Sequence, residues 1–425
     1  MTDRLRFVLN RLGERLWVKP MFICLLSIGV ALIARFADFW ELSHRFPDIS
    51  DDSVEKLLTV ISGSMLVMAV FAVGSMLAAY ESASSSATPR TFAVVISDDR
   101  SQNALSTFVG AFIFSIVGLV AITNDYYEKG GRFALLVITL VVFALVIFNF
   151  LKWVDAIARL GRLGNTVSKV ERAAETTLLR RRKSPTMGAI PARGGCDGIP
   201  VEVERIAYIQ HIDVAALQSL AEEHDLRIEV ALLPGKMTLP GQPVAYVCSD
   251  KGEPPAELVA KITGCFVVGE SRTFDEDPRF GLVVLSEIAS RALSPAVNDP
   301  GTAINIIGAL VRLLAIWASP PEDEPETGPD YDRVAVPELS LASLFEDAFS
   351  AIARDGAGSV EVMICLQKAL AGLAALGNPA LSQQASAQAD LAFRYAEQAL
   401  QLPSELSRLQ AARGEVGSKV VPRRL

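Results

Sequence analysis

Histidine and cysteine are scarce in this 425-residue chain, and the few present lie far apart. The histidines are His44, His211 and His224, and the five cysteines, Cys24, Cys196, Cys248, Cys265 and Cys365, form no C-x-x-C pair. A structural zinc site needs several such ligands at short spacing, so none is expected, and the thiols read as reduced and cytoplasmic rather than as a disulfide frame. Also missing are H-E-x-x-H, the Walker A loop, G-x-S-x-G and the glycine-rich dinucleotide fingerprint. The chemistries those motifs serve lack their marks, and no enzyme activity, cofactor or metal is expected. Positive charge is outnumbered: the formal net charge is −8, which argues against wholesale nucleic-acid binding.

Charge is absent altogether from the interiors of three long apolar runs, at about Leu57 to Tyr80, Leu105 to Thr123 and Phe133 to Leu151. A fourth run, about Met21 to Ala37, holds only Arg35, near its end, where a long side chain can reach the headgroups. Each run approaches the ~20 residues that cross a bilayer as a helix. Four spans are therefore expected over residues 21–151. The lack of a mid-membrane ionisable group counts against an ion- or proton-coupled transporter.

Orientation follows from flanking Lys and Arg. Arg4, Arg6, Arg11, Arg15 and Lys19 precede the first span, and Lys152, Arg159, Arg162, Lys169, Arg172 and Arg180 to Lys183 follow the fourth. The loop from Asp38 to Lys56 is acidic. Both termini are expected in the cytoplasm of a bacterial cell, with the spans in the inner membrane. Residues 1–20 read as a basic amphipathic helix on the bilayer surface, with Leu5, Val8, Leu9, Leu12 and Leu16 on its apolar side. Beyond the fourth span, residues 152–183 read as its cytoplasmic extension. Ala156, Leu160, Leu163, Val167, Val170 and Ala174 form a short heptad-like seam, fit either for self-association or for packing on the chain's own domain.

The expected fold is thus an α-helical integral membrane domain followed by an α+β cytoplasmic domain with a small β-module and a helical bundle. The β-module covers 184–270: a strand at Val201 to Gln210, a helix at Val214 to His224 capped by Asp213, and strands flanking the Pro234-Gly235 turn. Its hairpin pattern is that of a small barrel-sandwich module with a structural role. Residues 271–402 read as helices, two of them opened by Asp277-Pro278 and Asp299-Pro300. The stretch Ser319 to Pro337 reads as a solvated loop, and 403–425 as a polar, fraying tail.

Several segments resemble one family. They are Ser82 to Gln102, the module "YIQHIDVAALQSLAEEHDLRIEVALLPGKMTLPGQPVAYV", and Arg272 to Ala303, "RTFDEDPRFGLVVLSEIASRALSPAVNDPGTA". Together they resemble the bacterial predicted membrane proteins grouped as domain of unknown function 2254. The resemblance covers nearly the whole chain and implies a membrane protein, but carries no activity with it. At Glu276 the chain departs from the glutamine expected before the aspartate.

Two groups of residues are candidates for function. Along the second span Ser64, Met68, Phe71, Ser75, Ala79 and Ser82 recur at mostly helical spacing and could line a pore, with Glu81, Arg90, Asp98, Asp99 and Arg100 at its mouth. The plainer account is close helix packing through small residues. In the cytoplasmic domain Arg272, Asp277, Arg279, Arg291, Asn298 and Asp299 form a polar corner, either a ligand site or a network of caps and salt bridges. Charge-free spans, the heptad and a large cytoplasmic domain point to a homo-oligomeric ion channel gated by that domain. Its partners would be the lipid bilayer, copies of itself and a permeant ion, with no nucleic acid. The alternative is a membrane-anchored scaffold or sensor whose cytoplasmic domain binds a protein or small ligand.

Overall fold

The computed structural model describes residues 17–39, 47, 49–91, 99–159, 163–194, 198–249, 252–319 and 328–419. Most of the expected surface helix, Asp98 and residues 420–425 lie outside them. The chain divides into two compact units, Arg6–Thr166 and a unit containing Val167–Leu425.

The first unit is helical. Helix α1 (Val18–Ile33) runs into a 3-10 turn over Ala34–Phe39, followed by α2 (Asp51–Ser86), α3 (Asp99–Thr123) and α4 (Lys129–Arg159). Their mid-helix hydroxyls bond to their own backbone: Ser75 donates to the Phe71 carbonyl (2.9 Å) and Thr139 to that of Leu135 (2.7 Å). That is the arrangement an apolar solvent requires. One interior cluster joins Ile61, Met65, Ala69 and Ala72 to Phe108, Ala111 and Trp153. Val67, Val70, Phe71 and Leu77 of α2 face outward, each more than 60% exposed. So large an exposed apolar surface suits lipid, not water.

The residues that follow α1 meet the connection between α3 and α4 at one end of this unit. Tyr127 donates to the Ala31 carbonyl (2.6 Å), and the Asp38 carboxylate accepts from the Gly131 and Glu128 amides (2.5 and 3.1 Å). Gly130 and Gly131 permit this approach, since a Cβ on Gly130 would sit 2.5 Å from the Ala37 carbonyl oxygen. Up-and-down helices with short connections produce this arrangement.

The second unit begins with α5 (Leu163–Lys183), most of which it contains. Next come β1 (Ala189–Pro191), β2 (Ile199–Glu202), β3 (Ala207–Ile212), α6 (Val214–His224), β4 (Arg227–Val230), β5 (Met237–Thr238), β6 (Pro243–Cys248), α7 (Ala256–Thr263) and β7 (Phe266–Gly269). Helices α8 (Pro278–Ala292) and α9 (Pro300–Ala318) precede β8 (Tyr331–Val336). The chain then forms α10 (Leu341–Asp355), α11 (Val360–Ala374), α12 (Pro379–Ala399) and α13 (Pro403–Lys419). A five-stranded sheet has the order β1-β8-β4-β6-β2, with β8 parallel to both neighbours, and a three-stranded sheet the order β5-β3-β7. Both contribute to one core, through Val201, Ile228 and Val247 on one side and Ile209, Ile212 and Phe266 on the other.

Several expectations are corrected here. The strand placed at 201–210 is two strands, β2 and β3, separated by the connection over residues 203–206. The loop placed at 319–337 contains β8, whose Val334 and Val336 are fully buried between β1 and β4. The tail placed from Pro403 contains α13, held by buried Leu409 and Ala412. The cysteines are not all reduced: Cys248, at the end of β6, is disulfide-bonded, its partner sulfur lying outside the described residues.

Among the described residues, five helices are long and apolar enough to cross a membrane: Val18–Asp38, Asp51–Ser82, Ser101–Thr123, Lys129–Ile157 and Pro300–Ala318. The fifth belongs to α9, in the second unit. Its Ala303, Ile306, Ile307, Leu310, Leu313 and Leu314 are buried, with α8 and α11 packed on it. Arg312, in the middle of α9, makes a two-point ion pair with Glu171 of α5 (2.7 and 2.9 Å). Of the heptad-like seam, Val170 and Ala174 are buried in this unit together with Leu178. A Cβ added to Gly281 of α8 would stand 2.3 Å from the Ala174 Cβ. That face of α5 is therefore occupied by its own chain.

Candidate functional site

The polar corner is built where the Pro234-Gly235 turn meets the start of α8. The turn is stitched to β3: the Gly235 amide donates to the Ile209 carbonyl (2.8 Å), and the Ile209 amide to that of Lys236 (2.9 Å). Gly235 sits at φ +87°, in the left-handed region, and a Cβ there would lie 2.0 Å from Oδ2 of Asp277. Glycine is thus required for two reasons at once, conformation and space. Asp277 is buried and caps α8, accepting from the Arg279 amide (3.1 Å) and from Arg272 Nε (2.7 Å). Burial pushes its carboxyl pKa up, while the bonds from Arg272 and Arg279 pull it back.

Arg279 reaches across to α10, where its Nε and one terminal nitrogen donate to the Asp347 carboxylate (2.6 and 3.0 Å). This forked pairing holds the guanidinium pKa above its ordinary value. Arg272 lies over the Phe280 ring, 5.1 Å from its centroid. Behind the corner, His211 Nδ1 is 2.6 Å from Glu276 Oε1. Helix α5 packs beside it, with Thr177 donating to the Phe274 carbonyl (2.6 Å) and Arg180 to that of Asp275 (3.0 Å). Arg181, only 5% exposed, faces the charges of Glu276 and Asp277, and burial lowers its pKa. In front of the corner is a cavity of about 310 Å³, lined among others by Lys236, Arg272, Arg279, Glu338, Ser340 and Ser343.

The structure brings together only half of the expected cluster. Arg272, Asp277 and Arg279 converge, while Arg291, Asn298 and Asp299 sit at the other end of α8. At about 1.5 Å per residue that separates the groups by roughly 20 Å. The second group forms a helix-to-helix turn. Asn298 has φ +50°, and Asp299 caps α9 by accepting from the Thr302 amide (3.0 Å) and hydroxyl (2.6 Å). Those two bonds lower the Asp299 pKa. Sequence reasoning missed Asp347 and Lys236 as parts of the first group. Asp347 is 68 positions from its partner and carried no local signal. Lys236 could have been found, because it directly follows the Pro-Gly turn.

The expected pore residues do not share one exposed face. Ser64 and Phe71 face outward, Met68, Ser75 and Ser82 are half-buried, and Ala79 is buried. Met68 packs against the interior cluster, and Phe71 lies edge-on to Trp153, with centroids 5.8 Å apart. At the expected mouth Glu81 and Arg90 are exposed. Asp98 and the side chains of Asp99 and Arg100 lie outside the described residues. No group of ligands fit to hold a metal ion occurs among the described residues.

These features define a helical membrane protein with an appended mixed α/β unit. The model of one family, described as a predicted membrane protein and designated domain of unknown function 2254, matches residues 13–372. The chain belongs to that family. It is similar to uncharacterized proteins of Mycobacterium bovis and of Mycobacterium tuberculosis strain H37Rv, at 24% identity over 347 residues in each case. Those matches cover 75% of this chain and 63% of each relative, so the chain spans less than two thirds of the relatives' length. No solved structure matches it.

Proposed function

We propose that this membrane protein is an anchored sensor: the helical unit holds it in the bilayer, and the mixed unit binds a small ligand at the polar corner. The observation that carries this reading is the placing of α5. It begins at Leu163, a few residues after α4 ends at Arg159, and its Thr177, Arg180 and Arg181 form the back wall of the corner. A ligand that shifts Arg272 or Asp277 would thereby act on a helix tied by chain connection to the membrane unit. Four spans, α1 to α4, are part of the proposal. The ion pair from Arg312 of α9 to Glu171 of α5 and the packing of α9 favour a core helix, since Arg and Glu at mid-bilayer are costly.

The basic flanks of the first and fourth spans favour a cytoplasmic location for both termini in a bacterial inner membrane. The Cys248 disulfide pulls the other way, because disulfides are rare in the cytosol. The flanks carry more weight, as they act on insertion itself. A reporter fused after Leu425 that is active only outside the cytoplasm would overturn that orientation.

The test of coupling needs no ligand. Hydrogen exchange is compared in nanodiscs between wild type and Asp277→Asn, whose shape is kept while its charge is lost. Faster exchange is expected over residues 163–183, extending into the end of α4. Exchange unchanged on both sides of residue 160 would sink the reading.

A homo-oligomeric ion channel is the second reading. What favours it is a strip of small residues on α2, Gly63, Ser64 and Gly74, with open space beyond the glycines on a surface otherwise covered by Val and Leu. With Cys24 replaced, cysteines at Ser64 and Ser75 should react with water-soluble thiol reagents if a hydrated path runs there. Protection at both positions, or a monomeric native mass, would remove this reading.

A further inference from the structure

We propose that the cavity beside the Pro234-Gly235 turn binds a phosphate group, presented by a small phosphate ester or by a lipid headgroup. This rests on the sensor reading for its physiological meaning and names the ligand class for it. The argument starts from donors left over. Lys236 is exposed at the cavity wall and makes no ion pair among the described residues. Arg272 uses only Nε on Asp277, and its two terminal nitrogens make no hydrogen bond among the described residues. Arg279 uses Nε and one terminal nitrogen on Asp347, which leaves the other terminal nitrogen. All three side chains line the same cavity.

The carboxylates behind the arginines matter as much as the arginines. Asp277, fixed by its cap and by Gly235, and Asp347, on the body of α10, hold the two guanidinium groups at their inner edges. Their remaining nitrogens are thereby fixed in place before any ligand arrives, which lowers the entropy lost on binding. The 15-residue α10 begins at the cavity, with its N-cap Ser340 and Ser343 in the wall, and its positive end adds to the same field. One acidic side chain, Glu338, also lines the cavity and is exposed. The lining therefore holds three cations against one anion; Asp277 and Asp347 offset the charge of the two arginines from behind, so the arginines offer oriented donors and Lys236 the charge without a counter-ion among the described residues.

Three cations carried on separate segments suit a tetrahedral dianion with several acceptor oxygens. A lone carboxylate would be satisfied by one arginine fork. A volume of about 310 Å³ is at the small end of ligand sites and leaves room for a phosphate with a compact organic group.

The test uses the full chain in phosphatidylcholine nanodiscs, in phosphate-free buffer. Inorganic pyrophosphate and, separately, short-chain phosphatidic acid are titrated by calorimetry into wild type and Lys236→Glu. Lys236 is exposed, so its reversal should leave folding intact; an unchanged thermal midpoint checks this. Saturable binding is expected, weakened by added salt and by about tenfold or more in Lys236→Glu. Binding of pyrophosphate supports a soluble phosphate ester, and binding of phosphatidic acid alone supports a headgroup. No binding of either probe, or affinity unchanged in Lys236→Glu, overturns the proposal. Binding without any change in hydrogen exchange over 129–183 keeps the site and removes the sensor reading. A coupled Asp277→Asn response without phosphate binding does the reverse.

Discussion

Replacing Gly235 by alanine tests whether the Pro-Gly turn and the start of α8 are one structure. The new Cβ would stand 2.0 Å from Oδ2 and 2.3 Å from Cγ of Asp277, well inside van der Waals contact. The carboxylate is buried and cannot swing into solvent, so it must give up its partners. Losing the charged bond from Arg272 costs about 1.5–3 kcal/mol, and losing the α8 cap about 1 kcal/mol. The left-handed backbone adds about 1–2 kcal/mol for any residue bearing a Cβ. The expected loss is therefore about 3.5–6 kcal/mol. Gly241→Ala is the control. Gly241 also has positive φ, at +77°, but a Cβ there meets nothing within 4 Å, so only the backbone cost of about 1–2 kcal/mol applies. Chemical unfolding of both variants in detergent, followed by tryptophan fluorescence and by proteolysis of the mixed unit, gives the comparison. If Gly235→Ala loses no more than Gly241→Ala, the contact with Asp277 does not hold the corner together.

Three further outcomes are expected. Gly281→Ala should destabilise the second unit by about 1–3 kcal/mol, because its Cβ would overlap that of Ala174, and Ala174→Gly in the same chain should restore part of the loss; equal midpoints for single and double variants would count against this packing. Asp299→Ala should cost about 1 kcal/mol near neutral pH through loss of the α9 cap. The folded pKa of Asp299 is lowered, so its stabilisation is present above the unfolded carboxylate value and fades as pH falls through the folded one. Wild type and variant should therefore converge in acid, and a gap that persists there would contradict the linkage. Finally, Cys248 should resist maleimide until reductant is added, as read by peptide mass, whereas immediate labelling would mean that the disulfide does not form in solution.

Local rules were readable wherever one residue type could do one job. Asp213 and Asp299 were expected as helix caps and Asp277-Pro278 as a helix start, and each aspartate accepts a backbone amide two or three positions on. The four apolar runs mark real helices, but α2 and α4 extend well beyond them, at Asp51–Ser86 and Lys129–Arg159. Hydropathy reports the stretch that suits lipid, and the backbone bonds continue past it. The same measure cannot separate α9 from a span, because a helix buried on one side by α8 and α11 needs much the same composition. We read α9 as a core helix on the strength of Arg312, whose partner Glu171 lies 141 positions away.

That distance is also why the corner was only half legible. The expected grouping of Arg272, Asp277, Arg279, Arg291, Asn298 and Asp299 followed closeness in sequence, and a 15-residue helix then carried half of it to the far end. The groups that replaced them came from elsewhere: Lys236 from the turn after β4, Asp347 from α10, and Arg181 from α5. β8 was missed for a related reason. Its alternating Tyr331 to Val336 follows an acidic, proline-rich stretch, and only the parallel pairing with β1 and β4 makes it a strand. Parallel pairing requires partners far apart in sequence, which no local pattern names. Two sequence segments, "LLPGK" and "DEDPRF", gain their meaning in the same way. Gly235 leaves room for Asp277, Asp277 holds Arg272, and Lys236 stands beside both arginines at the cavity. A change at Gly235 should therefore be felt at the cavity through Asp277, although Gly235 itself has no side chain to bind a ligand.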